Sequence, residues 1–227
     1  MTRSSCYISK SNFPGEGFIE GTIAYLKLYT GAMTQAEVTA AYEASPATQL
    51  KYYWDFANAA NDVLLDSVGG IIATITNVGA SGRTSRGVTL DGVDAHIAIS
   101  FANMLYGGAI SVETTVRWMN AFNIYARVFD CGNGQSDNII IHTDVAGGGP
   151  ASLIWLVRQG TTAQYQHGGS VTLGTRHHIV TTVDGSTMRT WINGVLSAEK
   201  TDGGEPGIVL FACSFSCFAR ICRRSTI

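Results

Sequence analysis

The sequence predicts an all-β fold, an antiparallel sandwich or barrel with one short capping helix. Three observations predict it. Most of the chain alternates apolar and polar residues with a period of two, as half-buried strands do. The alternating stretches are short and set apart by Gly, Asn and Asp clusters, and Gly makes up 26 of the 227 residues, above the usual share of about 7%. Charged residues are only 14% of the chain, where soluble proteins average about 25%, which suits a turn-rich, well-buried fold.

The first regular element in chain order that is not a strand is a helix. Thr34 and Glu37 stand in the spacing of a capping box, in which the Thr34 hydroxyl accepts from the Glu37 amide and the Glu37 carboxylate reaches back to the Thr34 amide. The helix is expected to run to about Ala44 and stop near Pro46, with Val38, Ala41 and Tyr42 as its apolar stripe. The clearest strand is Ile110 to Trp118. Its residues Ile110, Val112, Val116 and Trp118 share one face, and Ser111, Glu113, Thr115 and Arg117 share the other. Weaker alternation marks Val93 to Ile99, Asn138 to His142, Leu153 to Arg158, His177 to Val183 and Met188 to Ile192. Asp184-Gly185 and Asn193-Gly194 are hairpin signals, because the central positions of a type I′ turn need positive φ.

Composition also excludes partners. A formal charge of −2 and a pI near 6.2 leave no broad basic field for a phosphate backbone, so nucleic acid is a poor partner. No apolar run of about 18 residues that could span a membrane is present. Residues 1 to 6 lack the apolar stretch of a secretory signal, so no signal peptide is expected in this chain. Of five cysteines, Cys6 and Cys131 stand alone and Cys213, Cys217 and Cys222 crowd the carboxyl end. Their gaps fit neither a zinc site nor a regular disulfide framework, so all five are expected to be incidental thiols.

Several segments together resemble a known family. Gly21 to Tyr29 followed by Met33 to Val38 is similar to the end of a laminin-G-like domain of the concanavalin A-like lectin and glucanase superfamily. Tyr53 to Phe56, then Asp66 with Gly69, then Gly87 to Gly92, resembles that family's beginning, and Thr187 to Gly194 resembles its late hairpin. The resemblance covers about residues 7 to 210. It implies a concanavalin A-like antiparallel jelly-roll β-sandwich, extracellular or at the cell surface, that binds a glycan or an extracellular protein without catalysis. A scaffold repeat with no ligand of its own is a second reading, and a carbohydrate-active enzyme a third.

The family's ending precedes its beginning in this chain, as in a piece of a tandem-repeat surface protein. Residues 1–48 are expected to supply the terminal strands and helix that complete a sandwich formed by residues 49–210. The line resembling the family's missing late strand is Tyr7 to Ser11. Residues 211–227 are an atypical Cys-rich tail, read as unstructured or as a gene-model artefact, since alternation and turn chemistry both stop there.

Residues that could carry chemistry are few. Glycoside hydrolysis needs two carboxylates flanking the bond, and the glucanase pattern Glu-x-Asp-x-x-Glu does not occur. Glu113 beside Arg117 is expected to be a surface charge, and Glu199, Asp202 and Glu205 a solvated loop. His177 and His178 point to opposite faces of a strand, one buried and one wet. No Gly-x-Ser-x-Gly elbow is present, so no enzyme is expected. Calcium is a possible ligand of Asp130, Asn133 and Asp137, three hard oxygen donors in a Gly-rich loop. Asp91 and Asp94 are a weaker pair, and Asp91-Gly92 is expected to turn the chain. Trp155, Tyr165 and Trp191 are the candidate glycan platforms, although Trp54, Trp118, Trp155 and Trp191 equally suit a sandwich core.

Overall fold

Alternation along β-strands, with one face apolar and the other polar, requires two layers to bury the apolar faces against each other. The computed structural model has this form, and it describes residues 2–3, 5–43, 50–101, 104–105, 109–144, 150–185 and 187–201. The strands in the first half are β1 (Thr2–Arg3), β2 (Ser5–Ser9), β3 (Glu20–Thr30), β4 (Leu50–Asp55), β5 (Val63–Leu65), β6 (Ile72–Thr76), β7 (Arg83–Thr84), β8 (Gly87–Asp91), β9 (His96–Ile99) and β10 (Met104–Leu105). Those in the second half are β11 (Ile110–Trp118), β12 (Arg127–Asn133), β13 (Ser136–Thr143), β14 (Ala151–Gln159), β15 (Thr162–Val171), β16 (Arg176–Asp184), β17 (Thr187–Ile192) and β18 (Val195–Thr201). One α-helix, α1 (Gln35–Glu43), lies between β3 and β4. Residues 211–227, the Cys-rich tail, lie outside the described residues.

One sheet has the order β18-β17-β16-β11-β3-β8-β7, with β4 also paired to β3. The other has the order β15-β14-β13-β12-β2-β9-β6-β5. All pairings are antiparallel, and the architecture is a jelly-roll sandwich with one helix. The amino-terminal strands occupy the middle of both layers: β2 lies between β12 and β9, and β3 between β11 and β8.

The core between the layers contains Trp54, Trp118, Trp155, Phe56 and Phe129 with Ile8, Ile23, Leu26 and Leu28. Ile8, Ile23, Leu26 and Leu28 come from β2 and β3, so the amino-terminal strands contribute side chains to the same core as residues 50 onward. Polar clasps close the layers. Trp155 Nε1 donates to the Thr182 carbonyl at 3.1 Å, and Gln166 Nε2 donates to the Met188 and Ala198 carbonyls at 2.9 and 2.8 Å.

Local signals hold where they are chemical. The capping box forms, with the Thr34 amide donating to Glu37 Oε2 at 2.8 Å and the Glu37 amide to Thr34 Oγ1 at 3.3 Å. Those contacts lower the Glu37 carboxyl below its usual range. Asn193 and Gly194 have φ of 53° and 79° between the paired residues Ile192 and Val195, the geometry of a type I′ turn. Asp66 is buried and accepts from the amides of Tyr53, Val68, Gly69 and Ile71, fixing the turn after β5.

Four expectations need correction. Asp184 is the last paired residue of β16, opposite Thr187, so the hairpin loop begins one residue later, at Gly185 with φ 57°. Tyr42 is exposed rather than part of the buried stripe, its ring tilted against His178 with centroids 5.4 Å apart. Cys6 and Cys131 are not incidental thiols: β2 and β12 place them opposite each other, and they form a disulfide across 125 residues of sequence. Glu199 lies on β18, paired with Arg189, and not in a loop.

Candidate functional site

The outward face of β11 should meet water, since Ser111, Glu113, Thr115 and Arg117 are its polar set. Helix α1 covers half of it instead. Val38 and Ala41 from the helix, with Met33 before it, pack on Tyr29, Val180 and Trp191 to form a second small core outside the sheet. Gln35 fixes the helix: its Oε1 accepts from Trp191 Nε1 at 2.8 Å and its Nε2 donates to the Gly194 carbonyl at 2.7 Å. The outer face of the sheet therefore changes along its length from an apolar covered half to a polar open half.

Glu113 sits at the boundary and is 0% exposed. Its Oε1 accepts from the Tyr25 hydroxyl at 2.9 Å, from Lys27 Nζ at 3.0 Å and from His178 Nε2 at 3.2 Å. Its Oε2 accepts from the Tyr29 hydroxyl. Because an ionised carboxylate only accepts, His178 carries a proton on Nε2. Burial by itself pushes the Glu113 carboxyl up, but the His178 bond, the Lys27 charge and the Tyr29 hydroxyl outweigh it and hold the group at about 2. Burial first, and then the Glu113 charge, push the Tyr25 and Tyr29 phenols well above their usual range. Glu113 was expected at the surface, and this is the largest correction to the site. Alternation along one strand cannot reveal that a helix from elsewhere covers its polar face.

Beyond the covered half lies a groove. One cavity of about 310 Å³ is lined by Tyr25, Tyr42, Thr115, Arg176, His178 and Asn193. A smaller one of about 60 Å³ adjoins it through Thr115 and Arg176 and is lined further by Thr22, Ala24, Arg86 and Arg117. The larger volume falls in the range of small-ligand sites. Arg117 is held in place by Nε, which donates to the Gly174 carbonyl at 2.8 Å. Among the described residues no carboxylate pairs with Arg86, Arg117 or Arg176. Three guanidinium groups thus border one groove in a chain of net negative charge. They come from the β7–β8 turn, β11 and β16, too far apart in sequence to register as a basic motif.

The residues expected to bind lie elsewhere or in the core. Trp155 is 0% and Trp191 2% exposed, so neither offers a ring face, and Trp191 instead anchors α1. Tyr165 is exposed on β15, the edge strand of the opposite sheet. His177 and His178 do point to opposite faces, but both are buried, because α1 and Tyr42 cover the outward one. His142 is buried as well, and burial drives its pKa down to about 4.

The loop expected to hold calcium does not fit the ion. Asp130 is fully buried, and its oxygens accept from the Asn12 amide, the Asn12 side chain and the Asn138 side chain, each at 2.9 Å, with Arg127 Nε at 3.6 Å. Hydrogen-bond donors occupy the lone pairs that calcium would need. Asp137 Oδ1 accepts from the Gly160 amide at 2.9 Å, on the far side of the hairpin. Among the described residues no group of three or more His, Cys, Asp or Glu could hold a metal. Asp91 turns the chain, its Oδ1 accepting from the amides of Val93, Asp94 and Ala95.

The family model Laminin_G_3, of the concanavalin A-like lectin/glucanases superfamily, matches residues 91–212, more than half of the chain. No curated protein and no solved structure matches. The matched stretch includes β11 and β16, which carry the floor and one wall of the groove. With two antiparallel layers, a late Asn193-Gly194 hairpin and a match of that length, the chain belongs to the laminin G-like family of the concanavalin A-like lectin/glucanase superfamily.

Proposed function

We propose that this chain is a non-catalytic recognition module, extracellular or at the cell surface, that takes a glycan or protein ligand in the groove over Thr115. The observation that carries this reading is the pair of adjoining cavities bordered by Arg86, Arg117 and Arg176, whose charges no carboxylate neutralises among the described residues. A hydrolase of this superfamily needs a carboxyl that exchanges a proton with substrate. Glu113 is the carboxylate behind the groove, and it is enclosed by four donors and out of contact with solvent. Among the described residues no Asp or Glu lines either cavity. The Cys6–Cys131 disulfide supports an oxidising compartment.

The positions of β2 and β3 support a permuted reading, in which residues 1–48 complete the sandwich of residues 49–210 and the chain derives from a tandem array. Because β3 and β4 pair, the segment through α1 makes a short connection between what would be the two ends of an ordinary repeat.

The test is an array of glycans and extracellular proteins probed with the full chain, with and without calcium, alongside an assay for released sugar. Calcium-independent binding that is lost in Arg117→Gln/Arg176→Gln supports the reading. Release of product, or binding that the double variant retains in full, contradicts it.

A further inference from the structure

The groove's chemistry narrows its ligand. Sugar recognition relies on an aromatic ring with a free face for the C–H surface of the sugar, beside polar groups. Two tyrosine rings line this groove; Tyr25 is engaged, whereas Tyr42 keeps about half of its surface exposed, so it is charge that narrows the ligand. Tyr42 packs on His178 with ring centroids 5.4 Å apart, and a carbon placed on Gly194 would lie 3.3 Å from the Tyr42 ring. Tyr25 meets Tyr53 edge-on, carries Lys27 Nζ 4.8 Å from its ring centre, and commits its hydroxyl to Glu113. Asn193 Oδ1 already accepts from the His178 amide at 2.9 Å. The charged groups of the groove are guanidinium, three times over, with the Thr22 and Thr115 side chains beside them. Guanidinium groups grip carboxylates in pairs of parallel hydrogen bonds, and arginine clusters are a recurrent means of reading acidic peptide motifs.

Resting on the reading of this groove as the ligand site, we propose that it binds an acidic peptide segment, whose carboxylates are taken by Arg86, Arg117 and Arg176. Arg117 is the fixed element, since its bond to the Gly174 carbonyl sets its orientation and leaves the two terminal nitrogens to the ligand. Arg86 and Arg176 are exposed and close on the segment from either side of Thr115. The buried Glu113 does not cancel this field, because Lys27 neutralises it at 3.0 Å.

The test titrates the full chain, by fluorescence anisotropy, with a labelled octapeptide rich in Glu, its Gln and Lys counterparts, and an oligogalacturonate of similar charge. The Glu peptide binds, the Gln and Lys peptides do not, and affinity falls with rising salt. Arg176→Gln and Arg86→Gln each weaken binding about fivefold to tenfold. Arg189→Gln, a half-buried arginine paired with Glu199 outside the groove, changes nothing. Thermal melts of the variants match the parent, because the substituted groove residues are exposed. Equal affinity for the Glu and Gln peptides, or an equal loss in Arg189→Gln, overturns the proposal. Tighter binding of the oligogalacturonate, lost in the arginine variants, also overturns it while leaving the groove as the ligand site. Array ligands whose binding ignores the arginine variants would remove the groove reading itself.

Discussion

The Tyr25 hydroxyl donates to Glu113 Oε1 at 2.9 Å, so a residue that walls the groove hangs from a carboxylate with no access to solvent. His178, a second wall residue, hangs from the same oxygen at 3.2 Å. The shape of the open half of the sheet thus depends on a charge buried beneath it.

Removing that charge should be costly. Glu113→Gln removes the buried carboxylate that Lys27 pairs with at 3.0 Å, and the expected loss is about 3–5 kcal/mol of unfolding free energy. Adding Lys27→Met should recover part of it, giving a coupling of at least 1 kcal/mol in a double-mutant cycle followed by urea denaturation. Additive losses would mean that the pair does not interact as described.

Acid should act in two stages. His142, driven down to about 4 from 6.5, is neutral when folded, while the unfolded chain binds a proton below 6.5. Stability is therefore lost as pH falls from about 6.5 to 4, by roughly 3 kcal/mol. His177, also lowered by burial, acts in the same direction. Glu113, held at about 2 against 4.5, keeps its contribution above pH 4.5 and loses it as pH falls toward 2. Urea midpoints of the parent and His142→Phe between pH 7 and 4 should differ in slope. Parallel curves would contradict the assignment.

The disulfide joins β2 to β12 across 125 residues. Cys6→Ala/Cys131→Ala should lose roughly 2–5 kcal/mol under oxidising conditions, and the parent with dithiothreitol should fall toward the same value. Non-reducing peptide mapping should recover Cys6 and Cys131 in one linked peptide. Finding both as free thiols would contradict the pairing.

Residues 1–46 include both central strands, so their deletion removes Ile8, Ile23, Leu26 and Leu28 from the core and opens two internal edges. Aggregation or loss of cooperative melting is expected. A monomer with an unchanged transition would rule out a structural role for the segment.

Local chemistry was the legible part of this fold. The faces of β11, the Thr34–Glu37 capping box and the Asn193-Gly194 turn each follow from residues within a few positions of one another. What stayed hidden was set by distant pieces. Glu113 is enclosed by Tyr25, Lys27, Tyr29 and His178, 65 to 88 residues away in sequence, a separation no period of two can register. Cys6 and Cys131 look solitary until β2 enters the sheet beside β12. Arg86, Arg117 and Arg176 look like scattered charges until one turn and two strands bring them to one groove. Trp155 and Trp191 suited a platform or a core equally well, and only burial separates the two.

Amide chemical-shift mapping of the full chain against its strongest array ligand probes the groove most directly. The largest shifts should cluster at Thr22, Arg86, Thr115, Arg117 and Arg176, and vanish in Arg117→Gln/Arg176→Gln. Shifts gathered instead around Tyr165, or around the Asp130–Asp137 hairpin and dependent on calcium, would place binding on the other sheet.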